Sequence, residues 1–240
     1  MAESGVTKKL LDPEGLTLMR ADMTALHASV KLTNPLPSGS PRFAADKLTS
    51  LYSQMSGYGF DSFSLLPVGA QMATLPARQA VISLDRTVLT EQFTLSGSSL
   101  RPFGELAGML LDKVQSVLDV EGYRAVALKL VAFWPVGTGD AMSFLSNAVS
   151  IGENVTLRLG NGFDVAGLRF HRGKKGEAEE WNVKVEPLLA EPDKLWIEID
   201  TQYLRPVQSG AEVSSKLESV ERFLRNEVQD AVLAMARDRK

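Results

Sequence analysis

Cysteine is absent from this 240-residue chain, and histidine occurs only twice, at His27 and His171. The first absence removes disulfides, thiolate nucleophiles and Cys-ligated zinc or iron–sulfur sites together. The second leaves little imidazole for acid–base work or metal ligation, and neither a metal nor a cofactor is expected. No apolar run approaches the roughly eighteen residues that suggest a membrane-spanning helix. The opening Met-Ala-Glu-Ser-Gly-Val-Thr-Lys-Lys leads into no apolar stretch of the signal-peptide kind. The expectation is a cytoplasmic protein with no membrane partner. A surplus of positive charge is missing as well: the formal net charge is -3, so the surface as a whole is not built to attract nucleic acid.

Phosphate-cradling glycine motifs are also lacking. Gly137-Thr138-Gly139-Asp140 stands before a helical pattern but has neither the Lys-Ser/Thr of a P-loop nor the third glycine of a dinucleotide fingerprint. Asp140 is read as a helix cap.

What is present is alternation. Leu26, Ala28, Val30 and Leu32 alternate with His27, Ser29 and Lys31, and Leu195, Ile197 and Ile199 alternate with Trp196, Glu198 and Asp200. A period of two is the mark of a strand with one buried face. Val126, Leu128, Leu130 and Trp134 share one face while Tyr123, Ala127, Val131 and Phe133 share the other, which suits a central strand. Steps of three and four at Leu106, Leu110, Val114 and Val117, and again at Val213, Leu217, Val220, Leu224, Val228, Ala231 and Met235, predict two long helices. Each follows a strand and a Leu-Arg-Pro break, at Leu100-Arg101-Pro102 and Leu204-Arg205-Pro206, so the strand-to-helix unit reads as used twice.

In order, residues 1–20 are expected to be a flexible lead-in, 21–135 a first α+β unit and 140–240 a second. The first opens on the strand Ala25 to Leu32, then a helix with Ser40 as cap and Pro41 in its first turn, carrying Phe43 to Met55. A strand near Phe60 to Leu66, a loop at Pro67 to Gly69, a pair Gln79 to Leu84 and Thr87 to Leu95, a helix ending at Glu121-Gly122 and the central strand complete a ferredoxin-like order. The second has a short helix, Ala141 to Val149, and a four-strand meander at Val155 to Leu159, Phe163 to Phe170, Trp181 to Glu186 and Leu195 to Thr201. It is closed by the long C-terminal helix. The fold class is α+β, two fused antiparallel sheet-plus-helix units.

In this order and pattern the chain resembles a sporadically distributed bacterial family of uncharacterised, duplicated α+β proteins. Ala25 to Leu32, Ala80 to Leu95 leading into Phe103 to Val120, Ala125 to Val131, and Leu195 to Asp200 before Phe223 and Val228 carry the likeness. The family's Arg-Tyr-Ile-Asn-like cluster is replaced here by Lys129-Leu130-Val131-Ala132-Phe133-Trp134. The resemblance implies a fold and no chemistry.

Two surfaces stand out. Arg158, Arg169, His171, Arg172, Lys174 and Lys175 are the most localised basic cluster, around a hairpin at Gly160-Asn161-Gly162, and suit an anion or a nucleic-acid backbone. If Leu168 and Phe170 face inward, Arg169 and His171 face outward; Glu177, Glu179 and Glu180 follow at once, and no Phe or Tyr alternates with the charges on that outer face to stack bases, which favours a solvated hairpin. Trp196 on the polar side of its strand, and Phe223 beside Leu224 on the terminal helix, widen the apolar surface beyond one core contact. Glu198 and Asp200 share a strand face with no third ligand, so pairing with Lys184 outweighs metal binding. No catalytic residue is assigned. The expected function is non-catalytic binding or assembly, with a protein partner that includes a second copy of the chain; the alternative is nucleic-acid association through Arg158 to Lys175.

Overall fold

The protein is described here from a computed structural model. It describes residues 10–11, 17–18, 23–34, 43–93, 99–136, 139–148, 167–173 and 178–237. The expected strand Val155 to Leu159, the Asn161 hairpin, Ser40 and Pro41 lie outside these residues.

A short ladder pairs β1 (Leu10–Leu11) with β2 (Thr17–Leu18). The other strands among the described residues form one antiparallel sheet of nine. These are β3 (Thr24–Thr33), β4 (Ser62–Leu66), β5 (Gly69–Thr74), β6 (Arg78–Ser83), β7 (Arg86–Gln92), β8 (Ala125–Pro135), β9 (Leu168–Arg172), β10 (Glu179–Pro187) and β11 (Lys194–Tyr203). Their order across the sheet is β4-β5-β6-β7-β3-β8-β11-β10-β9. The fold is α+β, and the sheet is continuous: β8 is hydrogen-bonded along its length to β3 on one side and β11 on the other.

Alternation decides which face is buried. Ala28, Val30 and Leu32 are fully buried and register with Leu130, Leu128 and Val126, which register in turn with Ile199, Thr201 and Tyr203. The row continues outward through Leu89, Ala80 and Met72 on one side and Val183 on the other, so one apolar face runs the width of the sheet. A register shift between Ala25 and His27 keeps the remainder of β3 in phase with this row.

The helices cover that face. α1 (Ala45–Met55) packs on β4 and β5, α2 (Arg101–Leu118) on β7, α3 (Ala141–Ala148) on β10, and α4 (Gly210–Phe223) on β8. A π turn, Leu224–Val228, joins α4 to α5 (Gln229–Arg237). α2 and α4 cross closely because both are glycine at the crossing: a Cβ on Gly210 would lie 2.0 Å from the Gly108 carbonyl oxygen. The crossing is also stitched by polar contacts. The Glu221 carboxylate accepts the Leu100 backbone N–H at 2.9 Å at the start of α2, and Asp112 accepts that of Gly210 at 2.8 Å at the start of α4.

Three sequence expectations are corrected. The turn at Pro67-Val68 is present, but the sequence predicts no strand between Gly69 and Gln79, where Gly69–Thr74 forms β5; its small residues hid the alternation, and Gly69 is required where a Cβ would sit 1.8 Å from the Ile82 carbonyl oxygen. α2 ends at Leu118, with Asp119 in the left-handed conformation (φ 56) as its cap, while Gly122 (φ 72) turns the chain into β8. The first helix begins at Ala45, with Ala44 as its cap residue and no side-chain cap.

Candidate binding cleft at the sheet edge

The expected basic cluster is divided by the pleat of β9. Arg169 registers with Lys184 and His171 with Asn182, on the face away from the helices, whereas Arg172 registers with Trp181 on the helix-covered face. Arg158, Lys174 and Lys175 lie outside the described residues. The two expected partner-binding aromatics are likewise separated: Trp196 stands on the open face against Phe133, ring centroids 5.7 Å apart, and Phe223 lies on the helix side.

Among the described residues of β8 to β11, the lysines and arginines of the open face are ion-paired. Lys129 and Lys184 each contact the Glu198 carboxylate at 2.7 Å, Arg169 reaches Glu186 at 3.5 Å, and Lys194 pairs with Glu191. Glu198 is only 8 % exposed. Burial alone would raise its pKa, but hydrogen bonds and charge from the two lysines outweigh that and hold the carboxyl below the usual range. Asp200, two residues on, is pushed up chiefly by burial, with Glu198 adding to the rise and the lysines opposing it. His27 is lowered, first by burial and then by Lys129, which favours neutral imidazole. His171 has one ring nitrogen 2.9 Å from the Asn182 side-chain oxygen and the other 3.1 Å from the Gly173 carbonyl oxygen, so both are engaged locally. Among the described residues no His, Asp and Glu side chains gather into a metal-holding group, and no helix is long and apolar enough to cross a membrane.

The helix-covered face is different at the same edge. Phe170, next to Arg172 on this face, is 48 % exposed. With Val183 and Val185 of β10 it forms one wall of an apolar cleft of about 160 Å³, whose other wall is Phe223, Val228, Ala231 and Val232, with Glu227 beside them. The helical wall is the π turn and its flanks. A π turn inserts one residue into the helix and so displaces the side chains around it, and such turns frequently occur at functional sites. An apolar cavity of about 150 Å³ holds benzene, so this cleft is sized for one leucine or phenylalanine side chain.

At the end of the cleft Arg172 stacks over Trp181 (4.8 Å to the ring centroid) and Phe223 (5.7 Å), which are themselves edge-to-face at 4.9 Å. Tyr203 meets Trp181 at 6.3 Å and carries Lys216 over its ring at 4.0 Å. A polar recess of about 390 Å³ opens here between Arg172, Ala178, Glu179, Trp181 and Arg205. Glu179 accepts the Trp181 indole N–H at 3.5 Å; neither Arg172 nor Arg205 has a carboxylate partner among the described residues. Burial pushes Tyr203 up to about 12, so its hydroxyl stays neutral and can donate a hydrogen bond.

No protein-family model matches the sequence, and no curated protein matches it. A solved structure of a rolling circle replication initiator protein from Geobacillus stearothermophilus aligns over 85 % of this chain and 85 % of that one, at 10 % identity and a TM-score of 0.35. A likeness at that level carries no argument for this chain. The site therefore rests on its own geometry.

Sequence reasoning named Arg172 and Phe223 separately and missed that they meet. It also missed Trp181 and Tyr203, because the rings that meet at Arg172 come from the neighbouring strands and the terminal helix, and it read Phe170 of β9 only as an inward-facing residue. The available signal was Trp181 at the start of its predicted strand and Tyr203 two residues past the end of the next, positions that an antiparallel turn brings to the same end of the sheet.

Proposed function

We propose that this protein is a non-catalytic binding protein that seats an apolar side chain of a protein partner in the cleft between β9, β10 and the π turn. The observation that carries the reading is an apolar cleft of side-chain size, open at Phe170, beside two guanidinium groups that have no carboxylate partner among the described residues. An aromatic anchor site flanked by arginine is the usual composition of an interaction hot spot. The cleft is walled by apolar groups plus one glutamate, and His171, on the opposite face of β9, is held by Asn182 and Gly173, an arrangement suited to recognition more than to bond-making.

Site-specific photocrosslinking from position 170 in the full chain tests this, with Ala231→Trp as the blocked control. Discrete polypeptide adducts that vanish in the blocked variant are expected. Adducts that persist there, or none at all, overturn the reading.

The alternative, nucleic-acid association through the basic hairpin, has weaker support. Arg169 is ion-paired on the open face while Arg172 is on the other, so the two do not form one cationic stripe.

We also read the two halves as copies of one unit. In support, the strand-to-helix step occurs once in each half, β7 running to α2 and β11 to α4, and each of these strands pairs antiparallel with a central strand, β7 with β3 and β11 with β8. The ferredoxin-like reading of the first half is supported by the adjacency β6-β7-β3-β8, with β4 and β5 as an added hairpin.

A further inference from the structure

The turn between β10 and β11 presents what the cleft lacks. Leu189 there is 86 % exposed, the highest value among the large hydrophobic side chains described. It is held out by a closed backbone network, not left on a loose loop. The Leu188 N–H donates to the Lys194 carbonyl at 2.9 Å, that of Glu191 to Leu188 at 3.0 Å and that of Lys194 to Glu191 at 2.9 Å. The turn is pinned to the body where Ala141 donates to the Pro192 carbonyl at 2.7 Å and Val136 to that of Asp193 at 2.8 Å. A turn ordered in advance loses little conformational freedom on binding.

Among the described residues, the charge the turn leaves unpaired is opposite to that of the two arginines beside the cleft. Glu191 and Asp193 flank the exposed leucine, and although Glu191 pairs with Lys194, the Asp193 carboxylate has no partner among the described residues. The cleft is flanked by Arg172 and Arg205, with Glu179 and Glu227 the carboxylates nearby.

We propose, building on the cleft reading above, that the partner is a second copy of this chain: Leu189 of one copy enters the cleft of the other, and Asp193 meets Arg172 and Arg205. Turn and cleft lie along the same strand. From Val185 on the cleft wall to Leu189 is four residues, about 13 Å at the rise of an extended strand. Two copies related by a two-fold axis at this edge can each give a turn and receive one, which closes the assembly as a dimer instead of a filament.

The test is sedimentation equilibrium of the full chain over a dilution series. A dimer that dissociates on dilution is expected. Leu189→Ser, Asp193→Arg and Arg172→Glu should each weaken it by about tenfold or more. All three are exposed positions, and circular dichroism checks that the variants remain folded. The decisive variant is the charge exchange: Asp193→Arg combined with Arg172→Glu should recover most of the lost affinity. A chain monomeric at every concentration, Leu189→Ser dimerising like the parent, or a double variant no better than the singles overturns the proposal. The crosslink from position 170 separates this from the reading beneath it. An adduct of twice the chain mass, mapped to residues 187–193, supports self-association; adducts only with other polypeptides overturn it and leave the cleft reading standing, and no adduct removes both.

Discussion

The two edges of the sheet finish differently. At β4 the Tyr52 ring of α1 stacks on Phe63, centroids 4.9 Å apart and planes 13° from parallel, and closes the space between strand and helix. At β9 the corresponding phenylalanine on the helix side, Phe170, has no stacked ring among the described residues, and the helix opposite is interrupted by a π turn. One edge is finished by packing and the other is left as a cleft. The same kind of residue therefore does two jobs, and what decides between them is the helix that faces it.

Stability should divide the edges first. Phe63→Ala, which removes a packed ring, is expected to destabilise by about 2 kcal/mol, against less than about 1 for Phe170→Ala, where a half-exposed ring loses little burial. Urea denaturation of the two variants measures the difference, and equal losses would erase the contrast.

The charged side of the open edge gives the next effect. Glu198→Gln leaves Lys129 and Lys184 without the carboxylate they share and should cost about 2 kcal/mol. The sign of its pH dependence follows from the lowered pKa. The contribution is present above the ordinary carboxylate range and is lost as pH falls through the depressed folded value, so the gap between parent and variant should narrow in acid. A gap that widened in acid would contradict the arrangement.

Deleting Asn226, an exposed residue in the π turn, sharpens the comparison without breaking the fold. Removal of one residue converts the turn to regular α-helix and keeps the later buried positions in phase, so a change within about 1 kcal/mol is expected, together with loss of the cleft. Quenching of Trp181 fluorescence by iodide, which reports access to this corner, should fall. Tryptophan-to-phenylalanine changes at Trp134 and Trp196 isolate the signal.

The smallest effect is at Asp200. Its pKa is raised, so the ionised form is the less comfortable one in the folded protein. Asp200→Asn should be neutral to slightly stabilising at pH 7, and that advantage should fade as pH falls and the parent's carboxyl takes up its proton. A thermal melt at neutral and at acid pH checks the sign.

Much of the element order was legible because it rests on local periodicity. Leu195 to Thr201, Ala25 to Leu32 and the terminal helix were readable from which side chains had to be buried, and β11, β3 and the α4–α5 run stand there. β5 escaped because Gly69, Ala70 and Ala73 are too small to mark a face. The candidate site was barely legible. Arg172 and Phe223 are 51 positions apart in the sequence, and nothing in the alternation of β9 says that Trp181 will lie under the guanidinium.

By itself, then, the sequence determined which residues face inward along each strand and helix, since a period of two or of 3.6 is a property of neighbouring residues alone. It also excluded thiol chemistry outright. Only the tertiary structure decided that one sheet spans both halves, that the basic residues of β9 divide between two faces, and that Glu198 sits buried between two lysines. It decided the cleft as well. A cleft is made by the distance between a strand edge and a helix from elsewhere in the chain, and that distance is fixed by packing across the whole sheet, which no stretch of sequence records.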